Sequence, residues 1–150
     1  MLESLLNIFN QSKDQVDEHS NDLIIGGLLV EAASIDGEII DIEIAKIKES
    51  LHLFSGIDKE TSDKIIHSCL EKVDEPNSFH YYTSKINREF SKDRKIKLLE
   101  ILWSIVLSDG KIHDYESNLI RRIAGLLYIS DVDCGNAKKR AIQIKTEDNQ

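Results

Sequence analysis

Six carboxylates stand at matched positions in two turns of the chain. Asp36, Asp41 and Glu43 lie in SIDGEIIDIE, residues 34–43; Asp109, Asp114 and Glu116 lie in LSDGKIHDYE, residues 107–116. Residues 36–47 and 109–120 share the pattern D-G-x-I-x-D-x-E-x-x-x-I. Clustered carboxylate oxygens suit a hard divalent cation, Ca²⁺ or Mg²⁺, better than zinc. DGEIIDIE is also in phase with the second half of an EF-hand loop. The first half is missing, because Ala32 and Ser34, or Ile105 and Leu107 in the second copy, stand where oxygen ligands belong. A weaker site could draw on Asp36, Asp41 and Glu43 with backbone carbonyls and water. The first copy has the stronger negative field: residues 31–49 hold six acids against two lysines, whereas residues 104–122 balance three acids with Lys111, Arg121 and Arg122.

The same residues also read as a helix corner without a metal. Gly37 and Gly110 can take the left-handed conformation that ends a helix. Ile39 and Ile112 plug the corner. Asp41 and Asp114 are expected to cap the following helices, with Glu43 and Glu116 in the first turn, where the helix dipole favours negative charge. His113 is expected to face solvent. The residues alone leave both readings open.

Little else in the chain suggests chemistry. There is no nucleophile–base constellation, glycine-rich phosphate loop or histidine-rich metal set, so no enzymatic activity is expected. His67-x-Cys69 lacks zinc spacing and further ligands. Cys69 and Cys134 lie far apart and read as reduced thiols of a cytoplasmic protein. A net charge of −8 and the lack of a basic, aromatic-interleaved stripe argue against nucleic-acid binding. The N-terminal MLESLLNIFNQSK is amphipathic but carries Glu3 and no basic n-region. It fits neither a secretory signal nor a spanning helix, and no later apolar run is long enough to span.

The elements that must position the turns are helical. With one proline and few clustered β-formers, a single all-α domain is predicted. Residues 2–10 can form a short helix with Leu2, Leu5, Leu6 and Phe9 on one side, followed by a polar linker. Residues 22–35 are apolar on nearly every side and read as a buried helix, with Gly26 and Gly27 allowing close approach. Ile44, Ile47, Leu51 and Phe54 recur at helical spacing up to Ser55-Gly56. Asp58 caps a helix running to about residue 73, with Ile65, Ile66, Cys69, Leu70 and Val73 inward. Residues 74–77, DEPN, break the chain. Phe79, Tyr82, Ile86 and Phe90 mark the next helix. Ser91 caps a second apolar helix, 92–108, with Trp103 in the core. Leu119, Ile120, Ile123 and Leu127 mark 114–128, together with Tyr115. A final helix starts near Ser130-Asp131 and fades into a mobile polar tail.

Shifting the chain by 73 residues lays Leu23, Ile25, Leu28 and Leu29 on Ile96, Leu98, Ile101 and Leu102, and Asp58 on Asp131. The fold expected is a bundle of about seven to eight helices built from two pseudo-twofold-related helix-turn-helix repeats, their apolar helices packed together. The expected division is an N-terminal helix and linker (1–19), a helical domain (20–142) and a polar tail (143–150).

Ala33-Ser34-Ile35-Asp36-Gly37-Glu38-Ile39 through Glu43, with LWSIVLSDGKIHDYESNLIRRIAGLLYIS at 102–130, resembles the TerB family of tellurite-resistance-associated proteins. It is similar, too, to the N-terminal domain of the DjlA co-chaperone. The resemblance covers roughly residues 20–142. It implies a non-enzymatic, cytoplasmic stress-response module with a protein partner and a divalent-cation site at Asp36, Asp41, Glu43, Asp109, Asp114 and Glu116. A second reading is a membrane-surface or co-chaperone-type adaptor without metal, touching the inner membrane or a membrane protein through residues 2–10.

Overall fold

The computed structural model describes residues 21–35, 39–72, 79–109 and 114–148, with backbone alone at 109, 115 and 145–148. These residues form seven α-helices and one 3₁₀ turn, with no strand among them. In chain order they are α1 over 21–33, α2 Asp41–Ser55, α3 Lys59–Glu71, α4 Phe79–Glu89, α5 Lys92–Val106, the 3₁₀ turn Leu107–Asp109, α6 Asp114–Leu126 and α7 Asp131–Asp148.

Helix α2 buries Ile47, Leu51 and Phe54, the residues that its three- and four-residue spacing selects. It ends at Gly56, whose φ of 71° lies in the left-handed region that glycine enters without a Cβ clash. Asp58 then opens α3 by accepting the Thr61 N–H at 2.7 Å. Ser62 Oγ donates to the Lys48 carbonyl at 2.6 Å, and Lys48 Nζ lies 2.5 Å from Asp63, tying α3 to α2.

The two glycines of α1 meet different neighbours. A Cβ on Gly26 would touch Ile65, Ile66 and Cys69 of α3 at 3.2–3.3 Å, whereas one on Gly27 would come within 2.5 Å of the Tyr82 ring of α4. The glycines thus seat α1 against both helices.

Ser91 caps α5 by accepting the Arg94 N–H. Leu98, Leu99, Leu102, Trp103 and Ile105 are buried along it. The helix packs along α7 and meets α2 and α6, which makes it the centre of this half of the bundle. Truncating any one of its buried leucines to alanine would cost about 2–5 kcal/mol. At the far end of α6, Asn87 Nδ2 and Lys95 Nζ donate to the carbonyls of Leu126 and Leu127, satisfying groups a helix leaves orphaned.

Several boundaries differ from the sequence expectation. The cap residue of α2 is Ile40, with Asp41 one place inside. Helix α5 tightens into the 3₁₀ turn after Val106 instead of running to 108. Helix α7 continues through residue 148, where a mobile tail was expected; its Lys, Glu and Gln side chains are good helix formers. The stretch from the start of α6 to the next cap, Asp114 to Ser130, is one residue shorter than the matching stretch from Asp41 to Asp58. Ser130, not Asp131, caps α7 by accepting the Asp133 N–H. The left-handed residue is therefore Tyr128, with a φ of 60°. It closes a Schellman motif in which Ile129 N–H bonds Ala124 and Tyr128 N–H bonds Gly125. The N-terminal helix, Gly37, Val73, the 74–77 break, Gly110 and His113 lie outside the described residues.

Candidate functional site

At the first acidic turn the helix start makes use of the acids. Ile40 has extended backbone and no side-chain acceptor, so its N–H is taken by Glu43 Oε1 at 3.3 Å. Glu43 thus supplies one half of a capping box. Asp41 is exposed in the same turn. Two residues apart on a helix, these carboxylates occupy different faces. Asp114 and Glu116 hold the matching places at the start of α6. Asp36 and the side chain of Asp109 lie outside the described residues. Among the described residues no three His, Cys, Asp or Glu side chains gather as a metal site. Both lysines of the first copy direct their charge elsewhere, Lys46 to Glu49 and Lys48 to Asp63.

The more prominent concave feature lies between α2, α5 and α7. It is a groove of about 500 Å³ with largely apolar walls. Helix α2 contributes Leu53 and Phe54, α5 contributes Ile101, and α7 contributes Ala141 and Ile144. Leu53 is 70% exposed and Ile144 46% exposed, so apolar surface stays open to water there. Leu107 and Ser108 of the 3₁₀ turn close one end, which places the groove directly before the second acidic turn. Lys46 and Lys97 stand on its rim.

Glu100 lies within this groove and is only 8% exposed. A buried carboxylate needs compensation. Lys97 Nζ supplies it at 3.2 Å from Oε1, and Arg140 Nε at 3.1 Å from Oε2. Two cations against one buried anion leave the groove locally positive in a chain of net charge −8. Sequence reasoning missed this cluster, although its signal was present: a glutamate inside the otherwise apolar run LLEILW, residues 98–103.

The thiols are not reactive centres. Burial pushes the Cys69 thiol up to about 11, with Lys72 opposing only in part. Cys134 is fully buried, which raises its pKa as well. Protonated thiols of this kind are inert. His67 is exposed and pairs with Glu71 one turn on, away from any ligand set among the described residues.

A model of the family described as tellurite resistance protein TerB matches residues 22–139. That span runs from the start of α1 well into α7 and takes in all the described walls of the groove except Ala141 and Ile144. No curated protein and no solved structure matches the chain.

Proposed function

The chain belongs to the TerB family of tellurite resistance proteins, a non-enzymatic family, and on that premise we propose that it is a cytoplasmic interaction module of the response to tellurite or a related stress, with the α2–α5–α7 groove as its contact face. The observation that carries this reading is the groove itself: open apolar walls at Leu53 and Ile144 beside Lys46 and Lys97, with Arg140 bound to the groove's Glu100. Such a surface suits an amphipathic helix with an apolar stripe and acidic flanks. Among the described residues no helix is long and apolar enough to cross a membrane.

The reading includes two pseudo-twofold units, α1–α3 and α5–α7. In support, α2 and α6 start at matched aspartates, Asp41 and Asp114. In both units a left-handed residue stands two places before the next cap, Gly56 before Asp58 and Tyr128 before Ser130.

Survival under tellurite tests the reading, in host cells lacking the chain and supplied with wild type or Leu53→Asp. Wild type should restore survival and Leu53→Asp should not, while the purified variant melts as wild type does. Equal survival with both would remove the groove from the mechanism.

A second reading keeps a divalent cation at the acidic turns, on Asp36, Asp41 and Glu43 and their counterparts Asp109, Asp114 and Glu116. It is supported by the engagement of Lys46 and Lys48 with carboxylates outside the turn. A cation bound to the native state raises the melting temperature by mass action. Chelator-treated protein titrated with Ca²⁺ or Mg²⁺ should then melt higher, and Asp36→Asn with Glu43→Gln should abolish the rise. A flat titration would leave the turns as helix corners.

A further inference from the structure

We infer that residues 2–10 of this same chain occupy the α2–α5–α7 groove until a partner displaces them, an inference that rests on the groove being the contact face.

Four features carry the inference. The first is pattern. Leu2, Leu5, Leu6 and Phe9 fall at i, i+3, i+4 and i+7, the spacing by which an amphipathic helix enters an apolar groove. The second is length. Nine helical residues span about 13–14 Å, and α5 with the 3₁₀ turn lines the groove from Lys97 to Ser108, roughly 16 Å of helix rise.

The third is reach. Asn21, the first described residue, shares a cleft with Phe90 at the end of α4. The Phe90 ring stacks on Phe54 at 6.3 Å between centroids, and Phe54 is a wall of the groove. The chain therefore enters the fold two aromatic rings from the groove. Residues 11–20 can span about 33 Å when extended, several times the 6.3 Å between the two rings.

The fourth is charge. The cleft at Asn21 carries Lys85 and Arg88 against one acid, Glu89, and Arg94 lies over Phe54 with its guanidinium carbon 4.1 Å from the ring centroid. Among the described residues neither Arg88 nor Arg94 meets a carboxylate. The linker that would cross this strip carries Asp14, Asp17 and Glu18 against Lys13. Acids on the linker thus follow cations on the path.

Tethering makes the segment a strong local competitor. A short linker holds it at an effective concentration on the order of millimolar. A partner helix would have to bind tightly or arrive in quantity to take its place. The N-terminal segment would then set the threshold for engagement.

Hydrogen exchange by mass spectrometry on the full chain tests this, with wild type, Leu6→Asp and Leu53→Asp each measured at two protein concentrations. In wild type the amides of residues 2–10 should exchange about tenfold or more slowly than an unstructured peptide, independent of concentration. Each substitution should abolish that protection. Free exchange of residues 2–10 in wild type would overturn the inference. So would protection that survives Leu53→Asp, which means docking elsewhere, or protection that grows with concentration, which makes a second copy the occupant. Free exchange combined with loss of tellurite survival in Leu53→Asp would sink the segment and keep the contact face. Protection combined with full survival in Leu53→Asp would sink the contact face.

Discussion

Arg140 Nε lies 3.1 Å from Oε2 of Glu100, a lining residue of the groove, and so joins α7 to α5. Lys97 takes the other carboxylate oxygen, so the buried acid has a cation on each oxygen. The same pair holds α7 in place and sets the local charge of the contact face.

Removing one partner should therefore be felt in proportion to what remains. Arg140 is about half exposed, so Arg140→Ala should cost about 1 kcal/mol. Glu100→Ala should cost more, about 2 kcal/mol, because it also empties packed volume and leaves two cations facing each other. Urea unfolding with an unchanged m-value measures both. Equal, negligible effects would mean that the pair is ornamental.

Gly27 and Gly26 should respond differently to alanine. Alanine gains up to about 1 kcal/mol of helix propensity at either position. At Gly27 the new Cβ would overlap the Tyr82 ring at 2.5 Å, so Gly27→Ala should lose about 1–2 kcal/mol net. At Gly26 the neighbours stand at 3.2–3.3 Å and are side-chain ends, so Gly26→Ala should be close to neutral. Adding Tyr82→Ala should recover part of the Gly27→Ala loss, read as a coupling of about 1 kcal/mol in a double-mutant cycle.

Tyr128 holds a left-handed backbone, with its ring 83% exposed. An L-residue pays about 1–2 kcal/mol for that conformation. Glycine avoids this cost but loses up to about 1 kcal/mol through its freer unfolded chain. Tyr128→Gly should thus stabilise the fold by about 0.5–1 kcal/mol in thermal or urea melts. A loss would show that the ring, 6.0 Å from Lys95 Nζ, contributes more than its exposure suggests.

Asp58 should make part of the stability depend on acid pH. The hydroxyl and the backbone N–H of Thr61 hold its carboxyl below the ordinary 3.8. A depressed carboxylate contributes fully above its unfolded pKa, and the contribution fades as pH falls through the folded value. Asp58→Asn keeps a cap acceptor but does not titrate. The advantage of wild type over the Asn variant should hold above the ordinary 3.8 and shrink as pH falls below it, through the depressed folded value. An advantage that stays constant with pH would argue against the charge.

Much of this fold was legible because local signals and tertiary demand agree. Ile47, Leu51 and Phe54 repeat at helical spacing and are buried; Asp58 and Ser91 stand where helices start and do cap them. The start of α2 was misread by one place because an aspartate is as favourable inside the first turn as at the cap. The Tyr128 corner carried no signal at all, since tyrosine has no preference for left-handed backbone. The groove was invisible for a different reason. Its walls come from three helices far apart in sequence, and Phe54 and Ile101 each read as ordinary stripe residues. Only Glu100, a charge in an apolar run, marked the place.

The most direct measurement compares the two candidate surfaces in one assay. Host cells lacking the chain receive wild type, Leu53→Asp in the groove, or Asp36→Asn with Glu43→Gln in the first acidic turn, and survival under tellurite is counted. Wild type and the turn variant should protect alike, and Leu53→Asp should fail although its melt is unchanged. Full protection by Leu53→Asp, with loss in the turn variant, would contradict the groove as the contact face and move the function to the acidic turn.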